Sequence, residues 1–117
     1  MYDYTTLDPQ QCEFVDIAAS EELPDGERLF VEVDEHPIVL LRIAGQVFAI
    51  ADLCSHDDGP LGDGDIEGHA IICPRHGARF DVRTGKVLSL PAIVDIPAYP
   101  VREADGRIAV GFPKEGP

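Results

Sequence analysis

Basic residues are scarce in this chain. Nine Lys and Arg stand against 22 Asp and Glu, which leaves a formal net charge of −13. A surface this acidic disfavours binding to nucleic acid and to anionic membranes, since like charges repel. It suits a soluble protein that meets a basic patch on its partner in a salt-sensitive encounter, and it equally suits plain solubility. Long apolar runs are also absent. The longest, Ile38-Val39-Leu40-Leu41, falls far short of the roughly 18 residues of a membrane helix. The first five residues, Met1 to Thr5, hold neither a basic n-region nor an apolar h-region. No signal peptide is therefore expected, and a cytoplasmic location is. Cysteine is limited to three residues, an odd number that cannot all pair within one chain.

What the sequence does contain is mostly strand signal. The 117 residues suffice for one domain with a modest core. Phe14-Val15-Asp16-Ile17 is a short candidate strand. Residues 28–33 form another, after the turn signal Pro24-Asp25-Gly26. Residues 38–43 and 47–50 read as a hairpin around Ala44-Gly45-Gln46. Residues 54–64 are rich in Gly, Asp and Pro and read as loop. Ala70-Ile71-Ile72 is a strand leading out of it. Residues 79–82 and 86–88 suggest a hairpin around Thr84-Gly85, and residues 99–103 and 107–110 another around Ala104-Asp105-Gly106. Many short strands at regular spacing predict an all-β protein, an antiparallel sandwich or barrel. Residues 18–23 could hold one helical turn, capped by Asp16 or Ser20.

Two motifs in the middle carry the chemistry. Cys54-Ser55-His56 and Cys73-Pro74-Arg75-His76 are separated by 16 residues. Each places one thiol and one imidazole close together. A Cys-x-His pair cannot sit at i, i+4 on a helix, so it must lie on an extended or turning loop. Gly59, Gly62, Gly64 and Gly77 supply permissive backbone beside both motifs. Such loops can aim backbone N–H groups at sulfur, while Pro74 removes one possible donor. Thiolates favour zinc or iron–sulfur clusters. Two cysteines with two histidines suit tetrahedral zinc, and they are also the ligand set of a [2Fe–2S] cluster in which His₂ replaces Cys₂ on one iron. Zinc fingers usually keep their cysteines in one pair and their histidines in another, whereas here each motif mixes the two. Cys12 lies far from both motifs and reads as a half-buried strand thiol. His36 and His69 have no ligand-spaced neighbour and read as surface or turn residues.

With that pattern the chain resembles a Rieske-type [2Fe–2S] ferredoxin. The likeness is carried by Cys54-Ser55-His56-Asp57-Asp58-Gly59-Pro60-Leu61 and by Cys73-Pro74-Arg75-His76-Gly77-Ala78-Arg79-Phe80-Asp81. Thr84-Gly85-Lys86 and Leu90-Pro91-Ala92 add to it. The resemblance spans residues 39–110. It implies a Rieske-like fold, with a small cluster-binding lobe at about residues 53–88 inserted into a base of residues 12–52 and 89–112, all within one domain of residues 1–117. It implies one [2Fe–2S] cluster, with Cys54 and Cys73 on an inner iron and His56 and His76 on an outer iron near the surface. It also implies a third loop over the cluster near Pro91, with Leu61 as an apolar lid.

Relatives in respiratory complexes carry one extra cysteine in each loop, joined as a disulfide. The matching residues here are Gly59 and Arg75, so that bond is absent. Those relatives also place hydroxyl residues where this chain has Ala78 and Phe80. Without hydroxyl donors to the sulfurs the added electron is less stabilised. A low potential is expected, near the lower end of the Rieske range at about −150 mV. The closest resemblance is to ferredoxin components of bacterial ring-hydroxylating dioxygenase systems. It implies a one-electron carrier rather than an enzyme, taking electrons from a flavin-dependent reductase and passing them to a terminal oxygenase or other acceptor, with a monomer expected. No 2-His-1-carboxylate set for a catalytic iron follows the second motif. The alternatives are a Rieske small subunit of another oxidoreductase, such as nitrite reductase or an arsenite oxidoreductase, and a zinc-stapled interaction domain. Arg75, Arg79, Asp57 and Asp58 read as a mixed rim that orients the partner.

Overall fold

The computed structural model describes residues 9–57 and 59–113. In chain order their strands are β1 (Cys12–Ala19), β2 (Arg28–Val33), β3 (His36–Ile43), β4 (Gln46–Ala51), β5 (Ile66–Glu67), β6 (Ala70–Ile72), β7 (Arg79–Asp81), β8 (Val87–Ser89), β9 (Ala98–Tyr99), β10 (Val101–Ala104) and β11 (Arg107–Pro113). They pair into three sheets, in the orders β1-β11-β10, β2-β3-β4-β9 and β5-β6-β7-β8. Every pairing is antiparallel. None of the described helical segments is long and apolar enough to cross a membrane.

The middle sheet explains the one apolar run in the sequence. Successive side chains of a strand point to opposite faces. Ile38 and Leu40 of β3 enter a core with Val47, Ala49 and Ala51 of β4 and with Ile108 and Val110 of β11. Val39 and Leu41 enter the opposite core, with Ile50, Ile71, Phe80 and Val82. All four residues of the run are buried. A strand covered on both faces reads as continuous rather than alternating hydrophobicity. The β2-β3-β4-β9 sheet is thus a shared middle layer. The β1-β11-β10 sheet covers one face, and the small sheet of residues 66–89 covers the other.

Two expectations need correction. Residues 99–103 are not one strand. The chain changes sheets at Pro100, so that β9 pairs with β4 while β10 pairs with β11. Proline has no N–H to give a ladder, and its carbonyl instead accepts from the Gly111 N–H at 2.8 Å. Residues 18–23 also divide differently. Ala18 and Ala19 continue β1, and a 3₁₀ turn covers Ser20–Glu22. Neither Asp16 nor Ser20 caps it. Asp16 pairs with Arg107 at 2.5 Å, and the Glu22 carboxylate accepts from the Ala19 N–H at 2.7 Å.

Among the described residues, three hairpins close through two-residue turns with both residues in the left-handed region. Ala44-Gly45 (φ 51° and 85°) and Asp105-Gly106 (φ 53° and 75°) carry glycine second, as type I′ turns prefer. Gln46 and Ala104, read as loop in the sequence, belong to strands. The third turn, Asp34-Glu35, has φ 49° and 68° without glycine. Glu35→Gly is therefore expected to stabilise the protein by about 0.5–1 kcal/mol, because it removes a Cβ from a conformation that L-residues disfavour. The denaturant midpoint should rise without a change in slope.

Candidate metal centre

The first motif follows β4 directly. Asp52 holds the loop in shape: its Oδ1 accepts the N–H groups of Leu61 at 2.8 Å and Gly62 at 2.6 Å. From below, the Arg28 guanidinium of β2 donates to the carbonyls of Gly62 and Gly64. Within the loop the Cys54 N–H donates to the Gly59 carbonyl at 2.8 Å. The second motif follows β6. The Cys73 N–H donates to the Ala78 carbonyl at 2.7 Å, and the Gly77 N–H returns to the Cys73 carbonyl at 2.9 Å. Gly77 sits at φ 76°, where a side chain would be strained. Each cysteine therefore lies at the base of a short turn and each histidine towards its tip.

The two turns converge. Cys54 and Cys73 are 0 % and 1 % exposed, share one core with Leu61, Ala78, Phe80 and Ala92, and lie near enough for each thiol to feel the other. His56 and His76 are exposed, with ring centroids 4.7 Å apart and planes at 78°. A buried sulfur pair thus lies beneath an exposed imidazole pair. Burial pushes the Cys54 thiol up, and Cys73 pushes the same way. The backbone N–H groups of His56 and Asp57 act against this. A thiol pair held in apolar surroundings with N–H groups already aimed at it is suited to become a thiolate pair on a positive centre. The donor set, two soft sulfurs and two imidazoles, fits a Rieske [2Fe–2S] cluster.

Other residues named in the sequence fall as follows. Leu61 is fully buried in the core that holds both cysteines. Ser55 donates its hydroxyl to the Val94 carbonyl, which ties the loop after Pro91 to the first motif. Ala92 of that loop is buried in the same core, whereas Ile93 and Val94 are exposed. Arg79 pairs with Glu67 at 2.6 Å, away from the rim role read for it. Asp58 lies outside the described residues. Cys12 is buried in β1, without a disulfide. His36 is exposed at the start of β3, and His69 stands edge-on to Phe48 with centroids 5.6 Å apart.

Sequence reasoning missed the supports. Asp52 and Arg28 escaped notice, although an aspartate just before a glycine-rich loop is a known turn-former. Within the mixed rim, Asp57 and Arg75 form a two-point ion pair, Nε to Oδ2 at 2.7 Å and Nη2 to Oδ1 at 2.8 Å. The Arg75 guanidinium holds the Asp57 carboxyl far below the usual carboxylate range, and the Gly59 N–H adds to this. Gly59 and Arg75, the positions without the disulfide, also touch. A Cβ on Gly59 would lie 2.7 Å from the Arg75 Cζ.

Comparison with known proteins agrees with this geometry. The family model for the Rieske [2Fe–2S] domain matches residues 13–100. The ferredoxin component of naphthalene 1,2-dioxygenase/salicylate 5-hydroxylase systems from Ralstonia sp. is 38 % identical over 81 % of this chain and 91 % of its own length. The ferredoxin of carbazole 1,9a-dioxygenase from Nocardioides aromaticivorans IC177 superposes with a TM-score of 0.77 at 34 % identity, covering 83 % of this chain and 95 % of that one. A chain from a complex of reduced oxygenase and oxidised ferredoxin in carbazole 1,9a-dioxygenase gives 0.78 at 28 % identity, covering 89 % and 97 %. This chain belongs to the Rieske [2Fe–2S] domain family, whose cofactor is one [2Fe–2S] cluster.

Proposed function

We propose that this chain is a one-electron carrier whose cluster is held by Cys54 and Cys73 on the inner iron and by His56 and His76 on the outer iron. The observation that carries the assignment is the convergence of the two motifs, a buried sulfur pair under an exposed ring pair. When bound, the cluster stores one electron. The chain's own residues supply the rest. The two thiols anchor the group inside the core. The imidazole edges face solvent and give a short path to a partner. Ala78 and Phe80, both fully buried, offer no hydroxyl to the sulfurs, which supports a low potential.

The donor is a flavin-dependent reductase and the acceptor a terminal oxygenase. Support comes from relatives that are ferredoxin components of dioxygenase systems and from the relative found with its oxygenase. These favour a soluble carrier over a nitrite-reductase-type small subunit. The carrier acts as a monomer in the cytoplasm. Docking uses the loop that Ser55 holds against the first motif. Leu90 and Ile93 there are 75 % and 77 % exposed, and Leu88 and Val94 are exposed beside them. Exposed apolar side chains grouped on one loop are a usual mark of an interaction surface.

The test is direct. Purified protein should be brown, with iron and acid-labile sulfide in equal amounts, and its reduced form should show the EPR signal of a mixed-valence [2Fe–2S] pair. Zinc, or no metal, would remove the assignment. Ile93→Asp should slow electron transfer to the oxygenase about tenfold while leaving the midpoint unchanged, since it sets one desolvated charge against the partner. Unaltered transfer would move docking elsewhere.

A further inference from the structure

One carboxylate at the centre is placed with more contacts than a solvated loop charge needs. Asp57 Oδ2 lies 3.0 Å from His76 Nε2 and also receives Arg75 Nε. Asp57 Oδ1 receives Arg75 Nη2 and the Gly59 N–H at 3.0 Å. The guanidinium is itself fixed: Nη1 donates to the Pro60 carbonyl at 2.5 Å, and its flat face covers Gly59, where any Cβ would collide with it. The side chains of Asp57 and Arg75 are 26 % and 33 % exposed. The chain of contacts therefore runs from the first loop, through the carboxylate, to both the cation and the imidazole of the second loop.

We infer that Asp57 and Arg75 are positioning residues that set the reduction potential with opposite signs through the His76 ring. The inference rests on His76 being a ligand, as proposed above. With Nε2–H given to Asp57, the ring is held in one tautomer and one orientation, and only Nδ1 is left to face the metal. A carboxylate accepting that proton makes the ring a stronger donor. Its negative charge also opposes the arrival of an electron. Both effects favour the oxidised state. Arg75 partly cancels the charge and so favours the reduced state.

The experiment compares wild type, Asp57→Asn, Asp57→Glu and Arg75→Gln by redox titration monitored by EPR. Asp57→Asn should raise the midpoint and Arg75→Gln should lower it. Each should change the reduced-to-oxidised ratio at a fixed ambient potential roughly threefold, or about 30 mV for one electron at 59 mV per tenfold. Asp57→Glu, which keeps charge and acceptor, should stay on the wild-type side of Asp57→Asn. A loss of rigidity alone would not separate the two signs. Shifts in the same direction, or none, overturn the inference. If Asp57→Asn fails to hold its cluster, the sign for Arg75→Gln decides, and an unchanged or higher midpoint there overturns it. If Arg75→Gln also fails, loss in Asp57→Glu as well assigns the pair a purely structural part and overturns the inference, whereas retention with a near wild-type midpoint supports it. A wild-type chain without iron and sulfide would instead sink the ligand assignment.

Discussion

Cys73→Ser is expected to give a colourless chain with no acid-labile sulfide, while Cys12→Ser keeps its full complement. Cys73 is 1 % exposed and shares its core with Cys54. Serine has nearly the same shape, so the turn closed by the 2.7 Å bond from the Cys73 N–H to the Ala78 carbonyl should still form. What changes is the donor. A serine hydroxyl is not ionised near neutral pH, and its oxygen is hard where iron–sulfur chemistry calls for soft thiolate. Under the proposed assignment, one lost anchor of four also leaves the inner iron with a single protein sulfur. Cys12 makes the control informative, because it lies in β1 at the pairing with Pro113, remote in the sheets from both motifs. Iron and sulfide analysis of the three proteins decides the matter. A brown, fully loaded Cys73→Ser protein would show that the cluster is held elsewhere.

Gly64→Ala should damage the protein severely. A Cβ at Gly64 would lie 1.9 Å from the Ile72 carbonyl oxygen and 2.9 Å from its carbon. Both are backbone atoms and cannot rotate away. The site joins the two halves of the centre. Gly64 ends the first loop, where its N–H donates to the Leu61 carbonyl at 3.0 Å and its carbonyl accepts from Arg28. Ile72 is the last residue of β6, and Cys73 follows it. Relief of the clash must push the first loop away from the strand that delivers the second thiol. Overpacking of this kind costs about 3 kcal/mol or more. The denaturant midpoint should fall accordingly, and the cluster should be lost faster than from wild type. Gly62→Ala offers a graded comparison, because its nearest contact at 2.5 Å is to the half-exposed Phe30 ring, which can turn aside. Equal stability of Gly64→Ala and wild type would mean that loop and strand are not pressed together as described.

The proposed donor set could be read from the sequence because its chemistry is local. Cys-x-His and Cys-x-x-His each put two ligands within one turn, and no folding calculation is needed to see that they form a pair. The strands were legible for a similar reason, since period-two alternation and the Ala44-Gly45 and Asp105-Gly106 turns act over a few residues. The turn at Asp34-Glu35 escaped because it lacks the glycine that marks its kind, and pairing across β2 and β3 brings its ends together. The break at Pro100 was ambiguous, since a proline can sit at a strand edge as well as between two strands.

The amino-acid order alone thus pointed to the proposed metal-binding atoms and to where the chain extends or reverses. Tertiary packing decided which charges meet. Asp57 and Arg75 stand 18 residues apart, and Arg28 reaches Gly62 across 34. Partnerships at that range depend on how three sheets stack, and an ion pair has no signature in sequence spacing until the backbone has brought its two ends within reach.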